Sequence, residues 1–309
     1  MSKTALMFAG QGAQVVGMGK DLAEKFPAAK GWFERANSAV GYDLASICFS
    51  GPETELTKTE NAQPAIFLVS WVGFELLRTR VPSLSFQTTA GLSLGEFTAL
   101  TAAGVMSFED GLRIVRQRGR FMQEACDVTN GGMAAIIGLD EAPTREVCAQ
   151  AGVVLANLNC PGQLVISGEA DKINQACELA KAKGARRALP LTVAGAYHSP
   201  LMASAQPKLA AELAQVTLKA STVPVISNVN AQPHGDPDSI RSRLVEQVTS
   251  PVRWEESMRY LLGQGFTRFV ELGPGTALSG FMKRIDKNAQ VLNVADAASL
   301  EGTVEALER

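Results

Sequence analysis

The sequence predicts an α/β protein in which a mainly parallel sheet is wrapped by helices and a smaller sheet unit is inserted into the chain. Three observations carry this. Short strand-like apolar runs are repeatedly followed by a glycine turn and a helical stretch, the alternation that builds a parallel sheet. The middle of the chain instead reads β-α-β-β-α-β, the split ferredoxin-like order. The chain of 309 residues, 46% hydrophobic and 19% charged, is long enough for a large core and for about two domains.

In chain order, Ala5–Ala9 reads as a strand, followed by a glycine loop and a helix through Phe26. Leu84–Ala90 reads as the next strand, with a second glycine loop and a helix through Gly104. Asp110–Ala125 reads as a helix. The inserted unit then gives a strand at Met133–Ile137, a helix at Pro143–Gly152, strands at Val153–Asn159 and Gln163–Ser167 around Pro161-Gly162, a helix at Ala170–Lys183 and a strand at Arg187–Val193. Gly131-Gly132 marks its entry and Gly195 lies near its exit. The expected division is a discontinuous large domain, 1–127 and 197–309, around an insertion at 128–196. Late in the chain Phe269–Leu272 is a strand, with Gly-Pro-Gly and a helix at Thr276–Ile285 after it.

Composition narrows the function classes. Twenty-nine basic and 31 acidic residues leave a net charge of −2, so no overall field recruits nucleic acid or an anionic membrane. Five cysteines, Cys48, Cys126, Cys148, Cys160 and Cys177, have scattered spacing and form no C-x-x-C, which fits a reducing cytoplasm and no disulfide framework. No leader pattern is visible, and no apolar run approaches the ~20 residues of a membrane span. No heptad run or block of like charge asks for obligate assembly, so a monomer is expected. Neither the cysteines nor the two histidines offer a metal pattern, and no metal is expected.

The sharpest chemical signal is Gly91-Leu92-Ser93-Leu94-Gly95 between a strand and a helix. A serine on so tight a turn needs small residues two positions away on each side, and both are glycine. The turn would lift the Ser93 hydroxyl off the sheet and put the Leu94 N–H at a helix N-terminus, where an oxyanion is favoured. The bland alternative is a structural turn. A serine nucleophile needs a base, and only His198 and His234 offer an imidazole. His234 lies in Gln-Pro-His-Gly-Asp-Pro and is expected to be exposed in a turn, whereas His198 lies where the chain returns from the insertion.

On the Asp110–Ala125 helix, Arg113, Arg116 and Arg120 share a polar face. Arg118 falls roughly 40° from Ile114, among apolar neighbours. A buried guanidinium must find an anion. That anion is either a structural partner or a substrate carboxylate gripped by two parallel hydrogen bonds. Gly10-Gln11-Gly12-Ala13-Gln14 also joins a strand to a helix, but the third glycine of a dinucleotide fingerprint is Val15 here, and no phosphate loop with its lysine occurs, so no bound cofactor is expected. Its N–H groups suit the other half of an oxyanion hole.

Together these residues resemble the malonyl-CoA:acyl carrier protein transacylases and the related acyltransferase domains of polyketide synthases. The resemblance runs through Phe8–Gln14, Asn61-Ala-Gln-Pro-Ala65, the elbow running into Glu96, Arg118–Ala125, Asn157–Gln163, Tyr197–Met202 and Glu271–Gly275. It implies an α/β-hydrolase-like core with an inserted ferredoxin-like subdomain. By the same resemblance Ser93 is the acylated nucleophile, His198 its base, the N–H groups of Gln11 and Leu94 the oxyanion hole, and Arg118 the partner of the malonyl carboxylate. The segment around Gln247 would orient His198 through a backbone carbonyl, and Gln63 and Asn159 would line the site. Tyr197, an aromatic before the base, favours malonyl. Leu92 departs from the histidine usual in the family, which touches acyl selectivity more than reaction type. Malonyl-CoA as donor and acyl carrier protein as acceptor are the implied partners. A serine thioesterase or esterase, a trans-acting polyketide acyltransferase and a non-catalytic carrier-binding subunit are the alternatives. Lys181, Lys183, Arg186 and Arg187 form a basic cluster that is either a carrier-docking patch or a solvated face.

Overall fold

A computed structural model describes residues 3–308. Its strands are β1 (Lys3–Phe8), β2 (Thr88–Gly91), β3 (Gly131–Ile137), β4 (Val154–Cys160), β5 (Gln163–Glu169), β6 (Arg187–Pro190), β7 (Val225–Ile226), β8 (Phe266–Leu272) and β9 (Gln290–Val294). Five of them form a sheet in the order β7-β2-β1-β8-β9, parallel at every pairing. The other four form an antiparallel sheet, β4-β5-β3-β6, with two helices, Glu141–Ala151 and Ala170–Ala182.

The parallel sheet is buried on both faces, as crossover helices require. Ala5 through Phe8 of β1 have no exposure at all. One face packs on a large cluster built around the helices Thr59–Arg80 and Phe108–Asp127, and the other on Val252, Trp254, Met258 and the helix Ala277–Ile285. The antiparallel sheet has its own core, with Ile136, Val147, Ile166 and Ile173 among its members.

From β1 the parallel sheet extends to one side through β2 and β7 and to the other through β8 and β9. Such a reversal opens a crevice at the carboxyl ends of the strands, where ligands bind in open α/β sheets. The loops after β1, β2 and β8 all emerge there. The antiparallel sheet covers this end, joined to the large sheet's side by Val252: its N–H donates to the Ala156 carbonyl at 2.8 Å, and the Leu158 N–H donates to the Val252 carbonyl at 2.9 Å.

Two strands are shorter than their sequence patterns. β2 begins at Thr88 rather than Leu84, because a turn closed by the Leu84 N–H on the Val81 carbonyl consumes the preceding residues. β6 stops at Pro190 rather than Val193, since the Val193 N–H turns back onto the Leu191 carbonyl and leaves the ladder. All five cysteines are buried free thiols. The basic cluster is partly neutralised, with Lys181 on Glu178 and Lys183 on Glu146.

Candidate active site

Ser93 occupies the turn from β2 into the helix Leu94–Ala102 with φ 53° and ψ −105°. Among the described residues only Ser93, His198 and Ala231 have positive φ without being glycine, and two of these three meet at one hydrogen bond. Left-handed backbone at such residues costs free energy and persists where the surroundings enforce it. The glycines are needed for packing: a Cβ on Gly91 would lie 1.9 Å from the Gly95 carbonyl oxygen, and one on Gly95 would lie 2.3 Å from that of Phe8. The elbow is held from beneath by Asn228. Its Oδ1 accepts from the Ser93 N–H at 2.6 Å and its Nδ2 donates to the Gly91 carbonyl at 2.8 Å.

Ser93 Oγ lies 2.8 Å from His198 Nε2. On the far side of the ring, Nδ1 is 3.0 Å from the carbonyl oxygens of both Gln247 and Ser250. Facing two acceptors, Nδ1 carries the proton, which leaves Nε2 with the lone pair that receives the serine hydrogen. No carboxylate touches this imidazole among the described residues. Burial, reinforced by the nearby Arg118 charge, pushes the His198 pKa down to about 4. The neutral, basic form therefore persists well below neutral pH.

Arg118 is 1% exposed, whereas Arg113, Arg116 and Arg120 on the same helix are exposed. Its Nη2 donates to Ser93 Oγ at 3.1 Å and to Gln247 Oε1 at 2.9 Å, and its Nη1 donates to Gln63 Oε1 at 2.7 Å. Nε has no partner among the described residues. The guanidinium thus rests on neutral oxygens, with no ion-pair partner among the described residues. Burial lowers its pKa to about 10, with the charge of Glu96 opposing the fall. A fork of donors beside the Ser93 hydroxyl, with no contacting anion among the described residues, has the geometry to take a carboxylate.

A cleft of about 830 Å³ opens onto Ser93 and His198 between the two sheets. Gln11, Gly12 and Gln14 line one side, Asn159 and Val165 the other, and Leu92 and Phe281 form an apolar wall. Leu94 opens the helix after the elbow, where a first-turn N–H has no preceding carbonyl to bond. Asn159 Oδ1 is buried with no hydrogen-bond partner among the described residues, a polar atom with capacity to bond a molecule in the cleft. The Tyr197 hydroxyl makes a short hydrogen bond with Thr59 Oγ1 at the start of the helix Thr59–Arg80. Glu271, fully buried beside the cleft, accepts from the N–H groups of Leu278 and Ser279 and caps the helix Ala277–Ile285.

The fold therefore brings Ser93, His198, Arg118, Gln63, Gln247, Gln11, Leu92, Leu94, Tyr197 and Asn159 to one end of the sheet. His234 corrects an expectation. Its segment is a turn, but its imidazole is only 2% exposed and Nε2 lies 2.6 Å from Glu96 Oε1, because that buried carboxylate needs donors. Nothing in the sequence singled out Asn228, which lies beyond β7 and far from the elbow in the chain. Glu96 left a fainter signal, a lone acid in the otherwise apolar start of a helix.

An acyl transferase domain model matches residues 6–302. A malonyl CoA-acyl carrier protein transacylase of Bacillus subtilis is 45% identical across 100% of this chain and 98% of its own. The one of Escherichia coli is 43% identical across 97% of this chain and 100% of its own. Among solved structures, the malonyl CoA-acyl carrier protein transacylase of Coxiella burnetii superposes with a TM-score of 0.96 at 36% identity, covering 100% of this chain and 98% of that one. A malonyl-transacylase in complex with a type II polyketide acyl-carrier protein superposes with a TM-score of 0.94 at 38% identity, covering 99% of this chain and 100% of that one.

Proposed function

The chain belongs to the acyl transferase domain family, and from that premise we propose that it transfers malonyl from malonyl-CoA to the phosphopantetheine thiol of acyl carrier protein through an acyl-enzyme on Ser93. The carrying observation is the buried Arg118 guanidinium, 3.1 Å from Ser93 Oγ and touching no carboxylate among the described residues. It fits a short acyl group that ends in a negative charge.

His198 Nε2 takes the Ser93 proton as Oγ forms its bond to the thioester carbon. The resulting oxyanion rests on the Gln11 and Leu94 N–H groups. Collapse of that intermediate breaks the C–S bond, and the CoA sulfur leaves with the proton from His198. The carrier thiol then gives its proton to His198, attacks the ester, and departs acylated while Ser93 recovers its hydrogen. Arg118 fixes the malonyl carboxylate during both halves, helped by Gln63 and Gln247, and Asn159 binds the polar arm of the donor. Tyr197 and Leu92 shape the acyl pocket. No bound cofactor takes part. Among the described residues no helix is long and apolar enough to cross a membrane; a cytoplasmic monomer is part of this proposal.

Intact mass after mixing with malonyl-CoA tests it. A malonyl adduct absent from Ser93→Ala, and discharged by added acyl carrier protein, is the expected result. Free malonate accumulating with carrier present would make the protein a thioesterase instead.

A further inference from the structure

Arg118 and Glu96 are opposite charges buried on either side of one amide. Gln247 Oε1 accepts from Arg118 Nη2 at 2.9 Å, and Gln247 Nε2 donates to Glu96 Oε2 at 2.8 Å. Glu96 has no exposure: its Oε2 accepts from Gln247 Nε2 and from the Asn228 N–H at 2.9 Å, and its Oε1 lies 2.6 Å from His234 Nε2, which donates in the Nε2–H tautomer. Three donors on two oxygens describe an acceptor-only carboxylate. It lies behind the elbow, outside the cleft, and touches neither Ser93 Oγ nor His198.

Resting on the malonyl-transfer reading, we propose that Glu96 is a specificity-determining counter-charge, which balances Arg118 in the empty site and so limits how tightly the pocket holds an anionic acyl group. Without substrate, the charges of Arg118 and Glu96 cancel one another. A bound malonyl carboxylate makes the trio net negative, and Glu96 repels it through a poorly screened interior. Ping-pong transfer needs this restraint, because a malonyl group gripped too firmly on Ser93 gains nothing in the transition state for leaving it. Glu96 also settles the amide: facing a pure acceptor, Gln247 must turn Nε2 toward it and Oε1 toward Arg118.

The surroundings allow the charge to be removed with little change of shape. In Glu96→Gln the amide oxygen can take the position of Oε2, on which Gln247 and Asn228 converge, with its NH2 facing His234. His234 Nδ1 has no partner among the described residues, so the proton can move from Nε2 to Nδ1 and leave Nε2 to accept. A Glu96→Gln/His234→Gln pair gives the new amide an acceptor without calling on the imidazole.

The test compares kcat/KM for acylation of Ser93 by malonyl-CoA and by acetyl-CoA, read by intact mass in wild type, Glu96→Gln, Glu96→Asp and the double variant, with thermal melting as a check on folding. The malonyl-to-acetyl preference rises about tenfold in Glu96→Gln through a lower KM for malonyl-CoA, while deacylation by carrier slows. Glu96→Asp, which keeps the charge, stays at the wild-type ratio. In an Arg118→Ala background Glu96→Gln still raises the ratio, because the repulsion acts on the malonyl carboxylate itself. If Glu96→Gln alone does not fold, the double variant carries the same expectation. Equal losses on both donors would make Glu96 a purely structural residue, and a lower preference would reverse its sign; either overturns the inference and leaves malonyl transfer standing. Wild type that malonyl-CoA fails to label would overturn both.

Discussion

At the residue scale, the two titratable groups that touch the Ser93 hydroxyl, His198 and Arg118, are buried, so the charge state of each matters. For His198 to act as a base it must be neutral, and its pKa of about 4 places the acid limb of kcat/KM near pH 4 rather than near the ~6.5 of a free imidazole. A pH–rate profile with malonyl-CoA checks this; a limb at 6.5 would mean that the base is more solvated than its surroundings show. The same depression bears on stability. The unfolded chain binds a proton at His198 below about pH 6.5 while the folded chain refuses it until about 4. This contribution is therefore complete above pH 6.5 and lost as pH falls through that window. Arg118→Ala removes the donor fork, and malonyl acylation should fall by at least about thirtyfold, the lower end of the about 2–5 kcal/mol for stripping one partner from a buried charge pair. Acetyl acylation should fall far less. Equal losses on the two donors would remove Arg118 from the role of carboxylate clamp.

At the element scale, the elbow is set by strand–helix contact more than by the serine itself. Gly95 passes over the end of β1, and its missing Cβ is what allows the Leu94–Ala102 helix to start there. Gly95→Ala forces a methyl to within 2.3 Å of the Phe8 carbonyl oxygen, a backbone atom that cannot swing aside. It should cost at least the ~1–3 kcal/mol of an overpacked core and lower the melting temperature by several degrees. A variant that melts like wild type would show that the strand end yields. The glycine spacing made this element legible in the sequence, because steric need is local. Arg118 was legible for a similar reason, since helical periodicity alone separates it from Arg113, Arg116 and Arg120. The ends of β2 and β6 were not legible. They are fixed by turn hydrogen bonds that a run of apolar residues does not encode.

At the scale of the whole molecule, the site belongs to neither sheet alone. Ser93 rises from the parallel sheet, Asn159 comes from the antiparallel one, and the carbonyls that hold His198 lie just before Val252, which pairs across to β4. Val252→Pro deletes the N–H that bonds the Ala156 carbonyl and loosens that junction. Transfer to carrier should then slow through kcat, with the Gln247 and Ser250 carbonyls displaced from the ring. Steady-state kinetics on folded protein would show it, and an unchanged kcat would mean that the carbonyls are held from their own side.

The parallel α/β core, the ferredoxin-like strand order, the strained serine turn and the inward arginine are written in the chain, because each follows from periodicity or from sterics among near neighbours. The sequence also carried the family resemblance across almost the full chain. How those parts meet depends on packing between distant segments. Asn228, Gln247 and His234 lie more than 130 positions from the elbow they support. The expected exposure of His234 failed because its turn folds over a buried carboxylate that no local pattern announces. Hydrogen bonds between distant side chains form only once packing has excluded water, and so the network beneath Ser93 is a property of the fold rather than of any segment.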